Sequence, residues 1–437
     1  MIKFYNRESE LEFLEYIEKH SGEKSQMTVI TGRRRVGKTA LIKKFIENKR
    51  SLYFFVARKD ELFLTDEFLD QVKQKIDIPV FGKINSIKEL FELLIHYSKD
   101  NNLTVVFDEF QDFQRTNPSI FSDIQNLWDA NKDSTKMNLI LCGSVLSMMK
   151  DIFENSKEPL FGRANHRLYV KPFSVNVLKN ILTENSSKIK NFDLLSFYIL
   201  TGGIAKYVEF FIENECFTFQ AMINEIFKDN SLLINEGKNN LIEEFGKDYS
   251  TYYSILSLIS SGKTSRSEIE SVLQRDVGGF LDKLENNYDI IKKYKPVFSK
   301  PGGRLQKYLI NDNFLDFWFR FIYKYSSALE IGNYDYIKNI VNEDFRRYSG
   351  KFLEKYFREK LSLTKRFSQI GSYWEKGNQN EIDIVALNER KKYCLIADVK
   401  LDKNKLNLNK LKVKADKLTT NLKDYEIEYK SFSLEDM

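Results

Sequence analysis

Near the start of the chain, Gly32-x-x-x-x-Gly37-Lys38-Thr39 spells the complete P-loop pattern. Thr28-Val29-Ile30 ahead of it is short and rich in β-formers. Beyond Gly37 the apolar residues Leu41, Ile42 and Phe45 recur at helical spacing. The glycines therefore fall between a predicted strand and the N-terminus of a predicted helix. Backbone N–H groups and the helix dipole can hold a phosphate chain there. In that geometry Lys38 reaches the β- and γ-phosphates of ATP, and the Thr39 hydroxyl ligates Mg²⁺.

The sequence around this loop supplies its expected partners. Phe4-Tyr5-Asn6-Arg7-Glu8 leads into an amphipathic helix through Leu11, Phe13, Leu14 and Ile17, and such a segment often packs near an adenine. The nucleotide-contacting set expected here is Asn6, Arg7, Gly32, Arg35, Val36, Gly37, Lys38, Thr39 and Ala40. Ser51 to Val56 is a buried-strand run. Leu103 to Asp112 is apolar and β-branched and ends in acids, with Asp108 at the strand end. In a Walker B arrangement Asp108 holds the Mg²⁺ shell and Glu109 orients or deprotonates water; an Asp-Glu pair is also common in turns. Asn138 to Ser144 is a further buried strand with Ser144 at its polar end, where a γ-phosphate sensor could sit. Arg163 reads either as an arginine finger or as a surface arginine. Alternating strands and helices imply an α/β fold, a parallel sheet covered on both faces, with the nucleotide at the strand C-termini.

Composition fits a globular protein of several domains. Of 437 residues, 42% are hydrophobic and 30% charged, and only 6 are proline, which argues against long disordered linkers. No secretory signal is evident and no apolar run approaches about 18 residues, so the expectation is a cytoplasmic protein without a membrane partner. Cys142, Cys216 and Cys394 are widely spaced, and so are His20, His96 and His166, which disfavours a zinc site and predicts buried free thiols. The formal charge of +6 is uneven: residues 250–310 carry 10 basic against 6 acidic residues, and residues 341–437 carry 21 against 16. That excess favours a DNA partner for the later part of the chain, although lysine-rich solvated faces produce the same excess.

Phe192 to Leu241 is helical by periodicity, interrupted at Thr201-Gly202-Gly203. The interruption either turns Lys206 toward the nucleotide or is a plain helix–helix turn. Ser250 to Ile310 reads as a winged helix: three short helices, then a hairpin around Lys300-Pro301-Gly302-Gly303-Arg304. Such a module suits DNA and also serves for packing. Phe314 to Tyr325 reads as core. In the last domain Tyr348 to Leu363 is a predicted helix bearing Glu354. Glu381 and Asp383 share a strand face, as do Asp398 and Lys400. Asp383 and Asp398 could hold Mg²⁺, with Lys400 facing a developing phosphodiester charge; an exposed edge hairpin gives the same alternation.

Together these stretches resemble the archaeal-type AAA-like P-loop ATPases that continue into a winged helix and end in a PD-(D/E)XK nuclease-like domain. The resemblance rests on Phe4-x-Asn6-Arg7-Glu8, Thr31 to Thr39, Val106 to Gln111, Leu160-Phe-Gly-Arg163, Thr201-Gly-Gly203, Asp312 to Phe319 and Trp374 to Lys400. It implies an ATPase core over residues 1–175, a helical lid over 176–249, a winged helix over 250–325 and an α/β restriction-endonuclease-like domain over 326–437. It implies ATP and Mg²⁺ on Gly37, Lys38, Thr39 and Asp108, with Glu109 catalytic. Arg163 becomes a finger acting on a neighbouring subunit, hence a possible homo-oligomer. Glu354, Asp383, Asp398 and Lys400 take the nuclease positions. Two departures stand out: Ala205 where relatives usually have Pro, and Asp398 where Glu is usual, which shortens that carboxylate arm by one methylene.

Overall fold

The structure is a computed structural model and describes residues 4–80, 82–245, 249–300, 302–303 and 305–437. It divides into two compact units that meet in sequence between Pro172 and Phe173.

The N-terminal unit is built on five parallel strands: β1 (Gln26–Thr31), β2 (Ser51–Phe55), β3 (Leu103–Asp108), β4 (Met137–Cys142) and β5 (His166–Tyr169). Their order is β2-β3-β4-β1-β5. β3 and β4 are buried along their whole length, as expected of inner strands whose faces are both covered by helices. One face is an aromatic core in which Phe54 stacks on Phe68 while Phe107, Phe110, Phe113 and Phe153 pack edge-on or tilted. The helix Lys38–Phe45 follows β1 and buries Leu41, Ile42 and Phe45, the residues whose spacing predicted it. β1 lies inside the sheet between β4 and β5, so its C-terminal end places the glycine loop on the side where β3 and β4 also end.

The second unit starts with helices. Asn191–Thr201 is buried along almost its whole length and stops at Gly202, whose φ of 55° ends it in the left-handed region. The Phe- and Trp-rich run after Asp312 is core: Phe314, Phe317, Phe319 and Phe321 are fully buried. It includes one π-helical turn, Trp318–Ile322, and the Trp318 indole donates to the Ile234 carbonyl at 2.7 Å.

Between these lie the helices Tyr249–Ser260, Arg266–Leu273 and Gly278–Asn286, followed by an antiparallel pair, β6 (Ile291–Tyr294) and β7 (Lys307–Ile310). Ser265 and Glu268 cap the middle helix reciprocally. Pro301 and Arg304 of the expected hairpin tip lie outside the described residues.

The C-terminal sheet holds β8 (Gln369–Tyr373), β9 (Ile382–Asn388), β10 (Tyr393–Lys400) and β11 (Glu426–Ser433) in the order β11-β10-β9-β8. β8, β9 and β10 are antiparallel neighbours, and β11 runs parallel to β10. The helix expected from Tyr348 begins at Gly350 instead. Tyr348 closes the preceding helix, Tyr334–Tyr348, and the Ser349 hydroxyl donates to the Arg346 carbonyl at the break.

Candidate functional site

The loop after β1 has the backbone its glycines were expected to permit. Gly32 has φ 149°, and a Cβ there would lie 2.5 Å from the Val170 carbonyl oxygen. Arg35 and Gly37 are also left-handed, at φ 62° and 100°, so successive N–H groups turn toward one concavity. Lys38 is buried, and its ammonium donates to the carbonyls of Gly32 at 2.8 Å and Arg33 at 2.9 Å. Burial pulls its pKa down, partly opposed by Cys142, Glu109 and Asp108. Thr39 and Ala40 are exposed at the helix N-terminus, and Val36 is buried beneath the loop.

The strand ends converge on the same place. The Thr39 hydroxyl donates to Asp108 Oδ2 at 2.8 Å, and the Tyr53 hydroxyl, from β2, donates to the same oxygen at 2.6 Å. Burial followed by the bond to Asp108 drives the Tyr53 phenol upward, so Tyr53 stays a proton donor. Glu109 has φ 58°, rare for a non-glycine residue. Its Oε2 accepts from Ser144 Oγ at 2.7 Å, Ser144 N at 3.3 Å and Gln111 Nε2 at 2.7 Å. A hydroxyl beside a carboxylate is the hard-oxygen donor set that Mg²⁺ takes, so Thr39 and Asp108 fit that ion.

Other expected residues have partners of their own. Arg7 is buried, and its guanidinium donates to the Val36 carbonyl at 3.0 Å and the Lys171 carbonyl at 2.9 Å, bracing the loop from beneath; Asn6 is exposed. Arg163 binds Asp129 at 3.2 Å and the Phe161 carbonyl at 2.8 Å. It stands near Asn165, whose N–H donates to the Met27 carbonyl at the start of β1, so it lies at the end of the sheet opposite the loop. Lys206 is exposed and pairs with Glu209 at 2.5 Å.

The second cluster lies in the C-terminal sheet. Ala397 pairs with Ile384, so the next step of the antiparallel ladder brings Asp398 opposite Asp383. The Lys400 ammonium donates to Asp383 Oδ2 and to Asp398 Oδ1, each at 3.0 Å, and the Val399 N–H donates to Asp383 Oδ2 at 2.7 Å. The two carboxylates thus converge on one cation. Burial pushes the Asp383 carboxyl up to about 6, with Asp398 adding to the shift. Burial acts against the Lys400 charge, and the two carboxylates outweigh it and hold its pKa above the ordinary value. Glu354 is half-buried on the helix Gly350–Leu363, and burial followed by the Asp383 charge raises it to about 7. Two convergent carboxylates suit a hard divalent cation, although among the described residues no three His, Cys, Asp or Glu side chains gather closely enough to hold a metal ion.

Three participants escaped the sequence reading. Tyr53 was hidden in an apolar strand run. Gln111 lies two residues past the acids. Arg358 binds Glu354 at 3.4 Å, Ser372 Oγ at 3.0 Å and the Asp383 carbonyl at 2.9 Å; its spacing of four from Glu354 on a helix was the available signal.

The family described as an ATPase domain predominantly from Archaea matches residues 4–211, and a family of archaeal and bacterial proteins of unknown function matches residues 318–414. An uncharacterized protein of Methanocaldococcus jannaschii is 30% identical over 91% of this chain and 87% of its own length. The chain belongs to the archaeal P-loop ATPases. An uncharacterized ATP-binding protein of the same organism is 54% identical to this ATPase over 11% of the chain and 81% of its own length. Among solved structures, the Walker-type ATPase of Pyrococcus abyssi superposes on the ATPase with a TM-score of 0.55 at 20% identity, covering 72% of this chain and 96% of that one. The ORC2 protein of Aeropyrum pernix gives a TM-score of 0.50 at 14% identity over 75% and 96%. At these identities the two structures speak for the fold alone. The three cysteines of the ATPase are buried and unpaired. Among the described residues no helix is long and apolar enough to cross a membrane.

Proposed function

We propose that this ATPase binds and hydrolyses ATP with Mg²⁺ and couples that cycle to DNA binding and metal-dependent phosphodiester cleavage. The observation that carries the second half is the convergence of Asp383 and Asp398 on Lys400 beside Glu354. At the P-loop, Gly32, Arg35, Val36, Gly37 and Ala40 shape the cradle and Lys38 holds the β- and γ-phosphates. Thr39 and Asp108 hold Mg²⁺, which neutralises phosphate charge when bound. Glu109 orients the attacking water, its carboxylate fixed by Ser144 and Gln111. Arg163 serves as a finger toward a neighbouring subunit of a homo-oligomer once it leaves Asp129. The helices and hairpin of residues 250–325 are read as a winged helix, and residues 326–437 as a PD-(D/E)XK nuclease-like domain. In that domain Asp383 and Asp398 hold the metal, Lys400 stabilises phosphorane charge, and Glu354 assists. The basic excess of residues 250–310 and 341–437 supports DNA as the partner.

A second reading is a nucleotide-gated DNA-binding switch without cleavage. It is favoured by the Lys400 ammonium already neutralising both carboxylates, and by the short arm of Asp398. ATP turnover by wild type, Lys38→Ala and Glu109→Gln tests the first half: wild type should turn over slowly and both variants should not. A wild-type chain that does not bind ATP with Mg²⁺ would sink the proposal. Incubation with plasmid and with single-stranded DNA, with and without ATP, in Mg²⁺ or Mn²⁺, separates the two readings.

A further inference from the structure

The hairpin β6–β7 is joined to the C-terminal sheet at its outer strand, β8. Within the loop between β6 and β7, the Val297 N–H donates to the Ser372 carbonyl at 2.9 Å. Val297 is buried with Tyr373, Ile382 and Val385. Position 371 must be glycine for this packing, since a Cβ there would lie 2.8 Å from Val297 Cγ2. Ser372 carries the connection inward, because its hydroxyl donates to the Asp383 carbonyl at 2.9 Å and accepts from Arg358 at 3.0 Å.

On β7 the Lys307 ammonium lies 2.8 Å from Glu381 and 4.7 Å from the centre of the Trp374 ring. Glu381 stands two residues before Asp383, and its charge reaches Glu354. Lys307 is therefore a cation at the rim of the carboxylate cluster, supplied by the hairpin and not by the C-terminal domain. Buried Trp374 keeps the ammonium in place. Glu381, by contrast, is 47% exposed against 22% for Lys307, and a carboxylate so open to water holds its partner only weakly. A phosphate can take the place of Glu381 on Lys307 without dismantling the site.

We propose that Lys307 is a substrate-binding residue of the C-terminal site. It receives a backbone phosphate of duplex DNA next to the phosphodiester presented to Asp383 and Asp398. The duplex then lies across the hairpin and the C-terminal sheet together, and neither half alone makes the complete site. This rests on the nuclease reading of that cluster.

The test is duplex binding by the full chain, read by fluorescence anisotropy of a labelled oligonucleotide in EDTA across a salt series. Lys307→Gln should weaken binding severalfold and make the slope of log K against log salt shallower by about 1. Glu381→Gln releases Lys307 from its internal partner and should tighten binding; a merely structural ion pair would make the two variants behave alike. Lys307→Gln with wild-type affinity and slope, or Glu381→Gln weakening binding as Lys307→Gln does, overturns the inference while leaving cleavage by the wild type untouched. A wild-type chain that binds no duplex at all overturns the inference together with the reading beneath it.

Discussion

Tyr53 donates its phenol hydrogen to Asp108 Oδ2 at 2.6 Å, the same oxygen that takes the Thr39 hydroxyl at 2.8 Å. An edge-strand residue thereby fixes the carboxylate at the end of β3. Tyr53→Phe removes one bond to a charged acceptor and should cost about 1.5–3 kcal/mol, a fall of roughly 3–12 °C in the melting midpoint of the N-terminal unit. Differential scanning calorimetry reads this directly. An unchanged midpoint would show that the bond contributes nothing.

Gly32→Ala tests the loop backbone. The new methyl would meet the Val170 carbonyl oxygen at 2.5 Å in a backbone conformation unsuited to L side chains. The strain should cost about 1–3 kcal/mol and abolish binding of a fluorescent ATP analogue. Retained affinity would mean that the loop binds nucleotide in another conformation.

Glu354 and Asp383 give the C-terminal domain a pH signature. Burial raises them to about 7 and about 6, from ordinary values of 4.5 and 3.8. A carboxyl with a raised folded value holds its proton more tightly when folded. Its stabilising share is fully present below the unfolded value and is lost as pH rises through the folded one. Stability from these groups should therefore decline between about pH 4 and 7. Glu354→Gln cannot ionise, so in EDTA its melting midpoint should fall less over that interval than the wild type's. Equal slopes would contradict the assignment.

Much of this was legible in the sequence because it is local. The strand–glycine–helix pattern around Gly32 to Phe45 sets its own backbone, and the apolar runs of β3 and β4 announce inner strands. The alternation at Asp398 and Lys400 put both on one face. What was not legible depends on register and on distant elements. Nothing in Ser51 to Val56 says that Tyr53 reaches the end of β3, since that follows from β2 pairing with β3. The spacing around Arg7 does not reveal that its guanidinium meets the Val36 and Lys171 carbonyls, buried acceptors that need a donor. The end of the sheet at which Arg163 stands follows from the path back to the start of β1, which spacing does not encode.

The most direct test of two separate chemistries on one chain is plasmid nicking and ATP turnover measured in the same Mg²⁺ reaction, for wild type and Asp383→Ala. Wild type should nick the plasmid and hydrolyse ATP. Asp383→Ala should hydrolyse ATP at the wild-type rate and leave the plasmid supercoiled. Nicking that persists in Asp383→Ala would contradict the account, because the cleaving site would then not be the one built on Asp383, Asp398 and Lys400.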